Sequence, residues 1–249
     1  MTKKINRLYA DLAWLWPLWG DPSEYALYCE NATRLIKKYA QREVCMLLNV
    51  CCGGGKNVFN LKKHFAVTGL DISPDMLNLA RKLNPECRFI QADMRTFSLP
   101  EKYDSILIDD GVAYMTTEAD LRAAFERAYA HLNPGGVMFV GPDDTKETFV
   151  QNRTLVSYST SSAKPAHIEV VFIENDFDPD PEDTAYDAVQ IYIIRENGKL
   201  RIEHDFHRLC IFPLETWRRL LHEIGFEVHE EGYSEDGRNY LEFVCIKPS

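Results

Sequence analysis

The sequence is short of positive charge. Its 28 Lys and Arg are outnumbered by 38 Asp and Glu, for a formal net charge of −10 at pH 7. The basic residues form no patch or stripe. That argues against nonspecific hold on a phosphate backbone, which needs clustered Lys and Arg, and against docking on an anionic membrane. Paired thiol motifs are missing as well. The seven cysteines include no CxxC pair, and several lie inside apolar runs. A disulfide framework or a structural zinc site is therefore not expected, and a reducing, cytoplasmic setting is. No metal site is expected either. Long apolar stretches are also absent: the aromatic run at positions 14–19 is short and broken by Pro17, so neither a signal peptide nor a transmembrane span is predicted. What remains is a chain of 249 residues, 45% hydrophobic and 12% aromatic, the composition of a folded soluble protein able to bury a sizeable core. The acidic excess leaves one class of partner open, small cationic molecules.

Periodicity supplies the architecture. After a helical, aromatic-rich opening to about Tyr39, residues 44–50 form a continuous apolar run, the mark of a strand buried on both faces. Strand signals recur at 66–70, 88–90, 105–108 and 137–140, separated by helical patterns. Ser73-Pro74 and Thr117 stand at helix starts, and Asn133-Pro134-Gly135-Gly136 reads as a turn. Alternating strands and helices predict βαβ units and a parallel sheet. From about 153 to 210 the pattern becomes that of antiparallel strands, with Asn197-Gly198 as a hairpin signal. The acidic stretch 174–187 inside it reads as a solvated loop and lacks the glycine and terminal Glu of an EF-hand. A helix over 214–224, Gly225 and two strands close the chain.

The chemistry concentrates where the first strand ends, in Leu47-Leu48-Asn49-Val50-Cys51-Cys52-Gly53-Gly54-Gly55. Glycines there admit a ligand to the backbone, and a helix start follows. A P-loop would need Ser or Thr after Gly55-Lys56, where Asn57 stands, and a dinucleotide fingerprint would need a small residue where Val58 stands. The second strand ends in Asp71, 18 residues after Gly53, where an acid accepts both hydroxyls of a ribose. Asp93 lies at the same carboxyl edge. Each acid alone reads equally as a helix cap or a turn residue; with the glycine loop they make a pattern.

The stretches LLNVCCGGG, GLDISPDMLNLAR, FIQADMRTF, YDSILIDDG and LNPGGVMFV, in that order over residues 44–141, resemble class I S-adenosylmethionine-dependent methyltransferases. The resemblance implies a doubly wound, Rossmann-like α/β fold with a seven-stranded, mostly parallel sheet. An antiparallel β insertion would follow the fifth strand. It implies S-adenosyl-L-methionine as cofactor. Position by position, Asn49 replaces the family's acid that supports the methionine amino group, and Cys51 replaces the loop's first glycine. Cys51, Gly53 and Gly55 would follow the methionyl moiety. Asp71 would bind the ribose, Ile72 would pack on adenine, and Asp93 would accept the adenine amino group with Met94 stacked on the ring. Met76 and Asp109 complete the cofactor set. Tyr9 and Tyr25 fall in a segment similar to the lid of glycine- and amino-sugar-type N-methyltransferases, with Trp14, Trp16 and Trp19 as an apolar cover or a plain core staple. Asp143 and Asp144 follow the fifth strand and are candidates for orienting a cationic amine, or else a surface pair. His207 would face the acceptor singly, since His204 points to the other side of its strand.

The expectation is a methyltransferase with Tyr9, Asp143 and His207 as catalytic candidates and a small-molecule acceptor, with nitrogen favoured. The acceptor class excludes nucleic acid, because Ile108-Asp109-Asp110-Gly111 stands where base methylases carry Pro-Pro-aromatic. Three units are expected: a lid and cofactor core (1–150), the insertion (151–212) and a closing helix and hairpin (213–249). A homodimer is compatible with them. The alternatives are an O-methyltransferase, a noncatalytic cofactor-binding protein or a nicotinamide dehydrogenase.

Overall fold

The structure is a computed structural model that describes residues 6–161, 167–235 and 238–249. Three short 3-10 turns, Arg7–Tyr9, Ala13–Leu18 and Pro22–Tyr25, precede the first α-helix, α1 (Ala26–Tyr39). The opening is therefore not one helical region. Pro17, Gly20 and Pro22 interrupt it, and regular helix starts only beyond them.

Five parallel strands follow, with a helix after each but β3 and β5: β1 (Met46–Val50), α2 (Lys56–Leu61), β2 (Ala66–Asp71), α3 (Pro74–Leu83), β3 (Arg88–Gln91), β4 (Tyr103–Ile108), α4 (Glu118–His131) and β5 (Leu132–Val140). After a four-stranded excursion, α5 (Leu214–Ile224) leads to β10 (Glu227–Glu235) and β11 (Arg238–Ile246). The main sheet has the order β10-β11-β5-β4-β1-β2-β3, with β11 antiparallel to β5 and to β10. Local chemistry explains the joints. Ser73 Oγ accepts the Met76 N–H at 3.1 Å, Thr117 Oγ1 accepts that of Asp120 at 3.1 Å, and Gly225 ends α5 at φ 106°.

Neighbouring strand residues face opposite cores. Leu48 joins Phe125, Trp217 and Leu220 under α4 and α5, while Leu47 joins Leu35, Ile36, Val58 and Leu77 under α1 to α3. The two faces are thus both covered, as a continuous apolar strand requires. β1 lies between β2 and β4, so the winding direction reverses there and opens a crevice at the carboxyl ends of the strands.

The insertion is a second sheet, β6 (Arg153–Ser161), β7 (Ile168–Phe177), β8 (Ala185–Glu196) and β9 (Lys199–Cys210), an antiparallel meander in chain order. Its β8–β9 hairpin turns on Asn197 (φ 49°) and Gly198 (φ 80°), the conformation the Asn-Gly pair favours. The sheet does not stand apart: Leu8, Leu12 and Leu15 of the N-terminal segment share a core with its Val170, Tyr192 and Ile194.

Two local expectations need correction. Asn133 to Gly136 is no free turn. It is carried inside β5 as a bulge, because Leu132 pairs with Tyr103 and Val137 with Ser105. The acidic stretch 174–187 is not uniformly solvated. β7 runs to Phe177, and Asp176 is buried, paired with Arg153 at 2.7 Å. The stretch's exposed residues are Phe177 and the tip, 179–182.

Candidate active site

The loop after β1 turns through the left-handed region at Cys51 (φ 60°), Gly53 (φ 49°) and Gly55 (φ 81°). At the non-glycine position this costs on the order of 1–2 kcal/mol. Cys51 packs tightly on Gly111, where a β-carbon would collide with it. Asp71 fastens the loop from the tip of β2: its Oδ2 accepts the Gly53 N–H at 2.8 Å and its Oδ1 the Ser73 N–H at 2.9 Å. Burial lifts the Asp71 carboxyl above its usual value, against the pull of those two donors.

The other carboxylates along this edge are held differently. Asp93 is gripped by the Arg95 guanidinium, 2.6 Å from Oδ2, and Arg95 reaches on to Asp120 at 2.9 Å. Asp109, at the end of β4, accepts Asn49 Nδ2 at 2.7 Å and Asn57 Nδ2 at 2.9 Å. Burial and then the neighbouring Asp110 raise the Asp109 carboxyl well above its ordinary value, while the two amides oppose them. Donation to Asp109 orients the Asn49 amide, and its Oδ1 is left buried without a partner.

Two cavities open beside these groups. The first, about 220 Å³, is walled by the loop residues Cys51 to Gly53, by Asp71, Ile72, Ala92, Asp93 and Met94, and by Asp109, Tyr9 and Trp16. The second, about 890 Å³, lies between the N-terminal segment, the loop after β5, strand β6 and the final hairpin. They meet at Tyr25, Asn57 and Asp110, which line both. The lining of the second includes Asp21, Glu24, Asp110, Asp143 and Glu242 and, among the described residues, no Lys, Arg or His.

The N-terminal segment covers the first cavity. The Trp16 indole lies so close over Gly54 that a β-carbon there would collide with it. The Lys56 ammonium sits 5.3 Å from the Trp16 ring and 5.2 Å from the Tyr25 ring and contacts the Trp19 carbonyl. Burial pulls Lys56 down to about 8, with Glu24 and Asp21 acting the other way. The segment is also pinned to β9: Asn6 donates to Phe206 O at 2.7 Å, Arg7 meets Glu203 at 3.0 Å, and Asp205 accepts the Leu8 N–H at 2.8 Å. A file of polar groups runs inward from there. The Tyr9 and Tyr114 hydroxyls are 2.9 Å apart, Tyr114 is 2.5 Å from His207 Nδ1, and His207 Nε2 is 3.0 Å from Asp205. The burial of Asp205 works against its charge, but His207 and the Leu8 N–H outweigh it and hold the carboxyl at about 2.

The structure therefore brings Tyr9, Tyr25, Cys51, Gly53, Asp71, Ile72, Asp93, Met94 and Asp109 to the first cavity, and Tyr25 and Asp143 to the second. Five expectations are displaced. Met76 is fully buried beneath Gly53, and the Gly55 carbonyl turns away to accept Asn84 Nδ2 at 2.9 Å. Asn49 is buried against Asp109 and lines neither cavity. Asp144 is locked by Arg153 in a two-pronged pair at 3.0 and 2.6 Å. His207, 1% exposed, stands behind Tyr114 and does not face the acceptor side. The pattern missed Lys56, Asn57, Asp110, Tyr114, Asp205 and Glu242. Asp110 and Glu242 carried a signal, an acid directly beside a motif acid and a charge set within the apolar run of β11.

Comparison with known proteins completes the picture. The family model described as "Methyltransferase domain" matches residues 47–136. The dTDP-3-amino-3,4,6-trideoxy-α-D-glucopyranose N,N-dimethyltransferase of Streptomyces venezuelae is 33% identical over 168 residues, 61% of this chain and 70% of that protein. The dTDP-3-amino-3,6-dideoxy-α-D-glucopyranose N,N-dimethyltransferase of Streptomyces fradiae is 27% identical over 84% of this chain and 80% of its own length. The crystal structure of Streptomyces venezuelae DesVI superposes with a TM-score of 0.82 at 26% identity, covering 99% of this chain and 100% of that one. The glycine loop, the strand-tip acids and these relatives agree: the chain belongs to the class I S-adenosylmethionine-dependent methyltransferases, in the company of the amino-sugar N-methyltransferases.

Proposed function

We propose that this methyltransferase methylates the nitrogen of a small cationic amine, with S-adenosylmethionine in the first cavity and the acceptor in the second. One observation carries the reading. The larger cavity adjoins the smaller at Tyr25, Asn57 and Asp110 and presents five carboxylates with no described basic side chain. Such a lining favours a cation and disfavours a carboxylate acceptor.

The first cavity suits the cofactor. It pairs the Asp71 carboxylate with an apolar slot of Ile72, Ala92 and Met94. On this reading Asp71 binds the ribose hydroxyls, Ile72 and Met94 enclose the adenine, and Asp93 meets its amino group. Cys51 and Gly53 follow the methionyl backbone. Bound S-adenosylmethionine supplies an already activated sulfonium methyl to the nitrogen lone pair. The protein's task is then alignment and exclusion of water, and alignment alone contributes about 7–11 kcal/mol in well-oriented reactions. Tyr25, Asn57 and Asp110 hold the boundary where the two reactants meet, Asp143 attracts the amine, and Trp16 and Tyr9 close the cover. His207 acts as a positioning residue that fixes Tyr114 and through it Tyr9.

The relatives named above act on dTDP-linked amino sugars. The acidic lining supports instead an acceptor that brings no pyrophosphate, while the Ser157, Ser159 and Thr160 hydroxyls of β6 suit a hydroxylated amine. The test is methyl transfer measured by mass spectrometry across free amino sugars, the same sugars linked to dTDP, trans-aconitate and a catechol. Turnover confined to amines, faster without the nucleotide, is expected. Turnover of only the carboxylate or the catechol overturns the amine reading.

A further inference from the structure

Glu242 lies on β11, the strand antiparallel to β5, just past the point where Phe243 pairs with Val140. It is 5% exposed and lines the acceptor cavity. Its Oε2 is buried and has no hydrogen-bond partner. Room for the carboxyl comes from Gly141, where any β-carbon would collide with that oxygen.

We propose that Glu242 is the catalytic base of this enzyme, receiving on Oε2 the proton that the acceptor ammonium must lose before it can attack. The inference rests on the amine-acceptor reading above. Cation binding first displaces Glu242's own proton to solvent; in the step, one N–H bond of the ammonium then breaks, its electron pair stays on nitrogen as the nucleophilic lone pair, and the Glu242 carboxylate takes the proton and becomes neutral. Glu242 shares the cavity lining with Asp110 after β4, Asp143 after β5, Tyr28 of α1, Tyr233 of β10 and Tyr240 of β11, and with Tyr25, Glu24 and Asp21; Asp110 and Tyr28 interact with it electrostatically. All are acidic or neutral; the Lys56 ammonium interacts with Glu24 and Asp21 at the rim, and the lining itself holds no basic side chain among the described residues. Burial first, and Asp110 second, push the Glu242 carboxyl up to about 8, close to the range in which a base works best near neutral pH.

The test uses Glu242→Gln, which keeps the shape and removes the basic oxygen, with Glu242→Asp as a partial rescue. Against the best amine from the panel, Glu242→Gln should lower kcat by roughly 10²–10⁴-fold while S-adenosylmethionine affinity, which also reports folding, is unchanged. Its residual rate should climb tenfold per pH unit as the free amine deprotonates by itself, whereas the wild type levels off. Independently of turnover, tetramethylammonium binding to the full-length protein should be followed by calorimetry at pH 7 in two buffers of different ionisation enthalpy. The wild type should expel a proton on binding and Glu242→Gln should not. A Glu242→Gln enzyme with near-normal kcat, or cation binding without proton release in the wild type, overturns the assignment. If the wild type neither methylates any amine nor binds tetramethylammonium, the amine reading falls and takes this one with it.

Discussion

The two cavities share one sheet edge and treat negative charge in opposite ways. On the cofactor side each strand-tip carboxylate has its own donors: backbone N–H groups on Asp71, a guanidinium on Asp93, two amides on Asp109. These donors fix each carboxyl in place, although only Asp93 meets a full positive charge and burial still raises Asp71 and Asp109. On the acceptor side Glu242 keeps a buried oxygen without a donor, among further acids. Such a lining is costly until a cation arrives. The difference separates a site preorganised for a neutral ribose and adenine from one whose counter-charge is the substrate.

The largest consequence concerns stability against pH. Glu242 titrates at about 8 in the folded protein and near 4.3 in an unfolded chain. Because the native state holds the proton over that interval, stability falls as pH rises from about 4.3 to about 8, by an amount on the order of a few kcal/mol. Thermal melts of Glu242→Gln should lose Glu242's share of the slope, leaving that of Asp71, Asp109 and Asp110, and exceed the wild type at pH 8. A slope that survives the substitution undiminished would place the uncompensated charge elsewhere. Next in size, Asp71→Ala strips two backbone N–H groups of their acceptor and removes the proposed ribose ligand. Calorimetry should show S-adenosylmethionine affinity weakened by about 1–3 kcal/mol. Unchanged affinity would break the idea that the cofactor side depends on its compensated acids.

The cofactor side was legible in the sequence and the acceptor side was not, for a physical reason. Cys51 to Gly55, Asp71 and Asp93 sit at the ends of consecutive parallel strands, so their convergence follows from the winding rule once the strands are recognised. Glu242 shows in the sequence only as a charge within an apolar run, with nothing to say what it faces. Its surroundings come from Gly141, which leaves room for it, from the charge of Asp110, both distant in sequence, and from a hairpin whose register local pattern does not determine. His207 was visible as a single residue, yet its place depends on Tyr114 and Asp205, which no spacing connects. The bulge in β5 shows the same limit: Asn-Pro-Gly-Gly signals a turn locally, and pairing with β4 makes it part of a strand.

A smaller effect is expected where the cover meets the insertion. Asp205 accepts the Leu8 N–H and faces His207 at 3.0 Å, joining the lid to the Tyr114–Tyr9 file. Asp205→Asn keeps one acceptor and loses the charge, so it should weaken this joint by about 1–2 kcal/mol. Hydrogen exchange should show the 3-10 turn Arg7–Tyr9 opening more often, with a raised KM for S-adenosylmethionine. If exchange is unchanged while kcat falls, the file acts on chemistry and not on closure.

The smallest effect gives the finest reading of the charge contrast. Ser159 lies on β6, half-buried at the wall of the acceptor cavity. Ser159→Lys adds one cation to a lining that has none among the described residues, without touching the glycine loop or the strand tips. A like charge near the ammonium in a partly hydrated cavity costs about 1 kcal/mol, so KM for the amine should rise roughly five- to tenfold. The effect should shrink at high salt as the charges are screened, and S-adenosylmethionine affinity should stay the same. The same lysine should ease entry of a dTDP-linked amino sugar by meeting its pyrophosphate, narrowing the preference for the unlinked form. A variant that discriminates as the wild type does would mean that the nucleotide never passes the β6 wall, and that the shape of the cavity, not its charge, selects the acceptor.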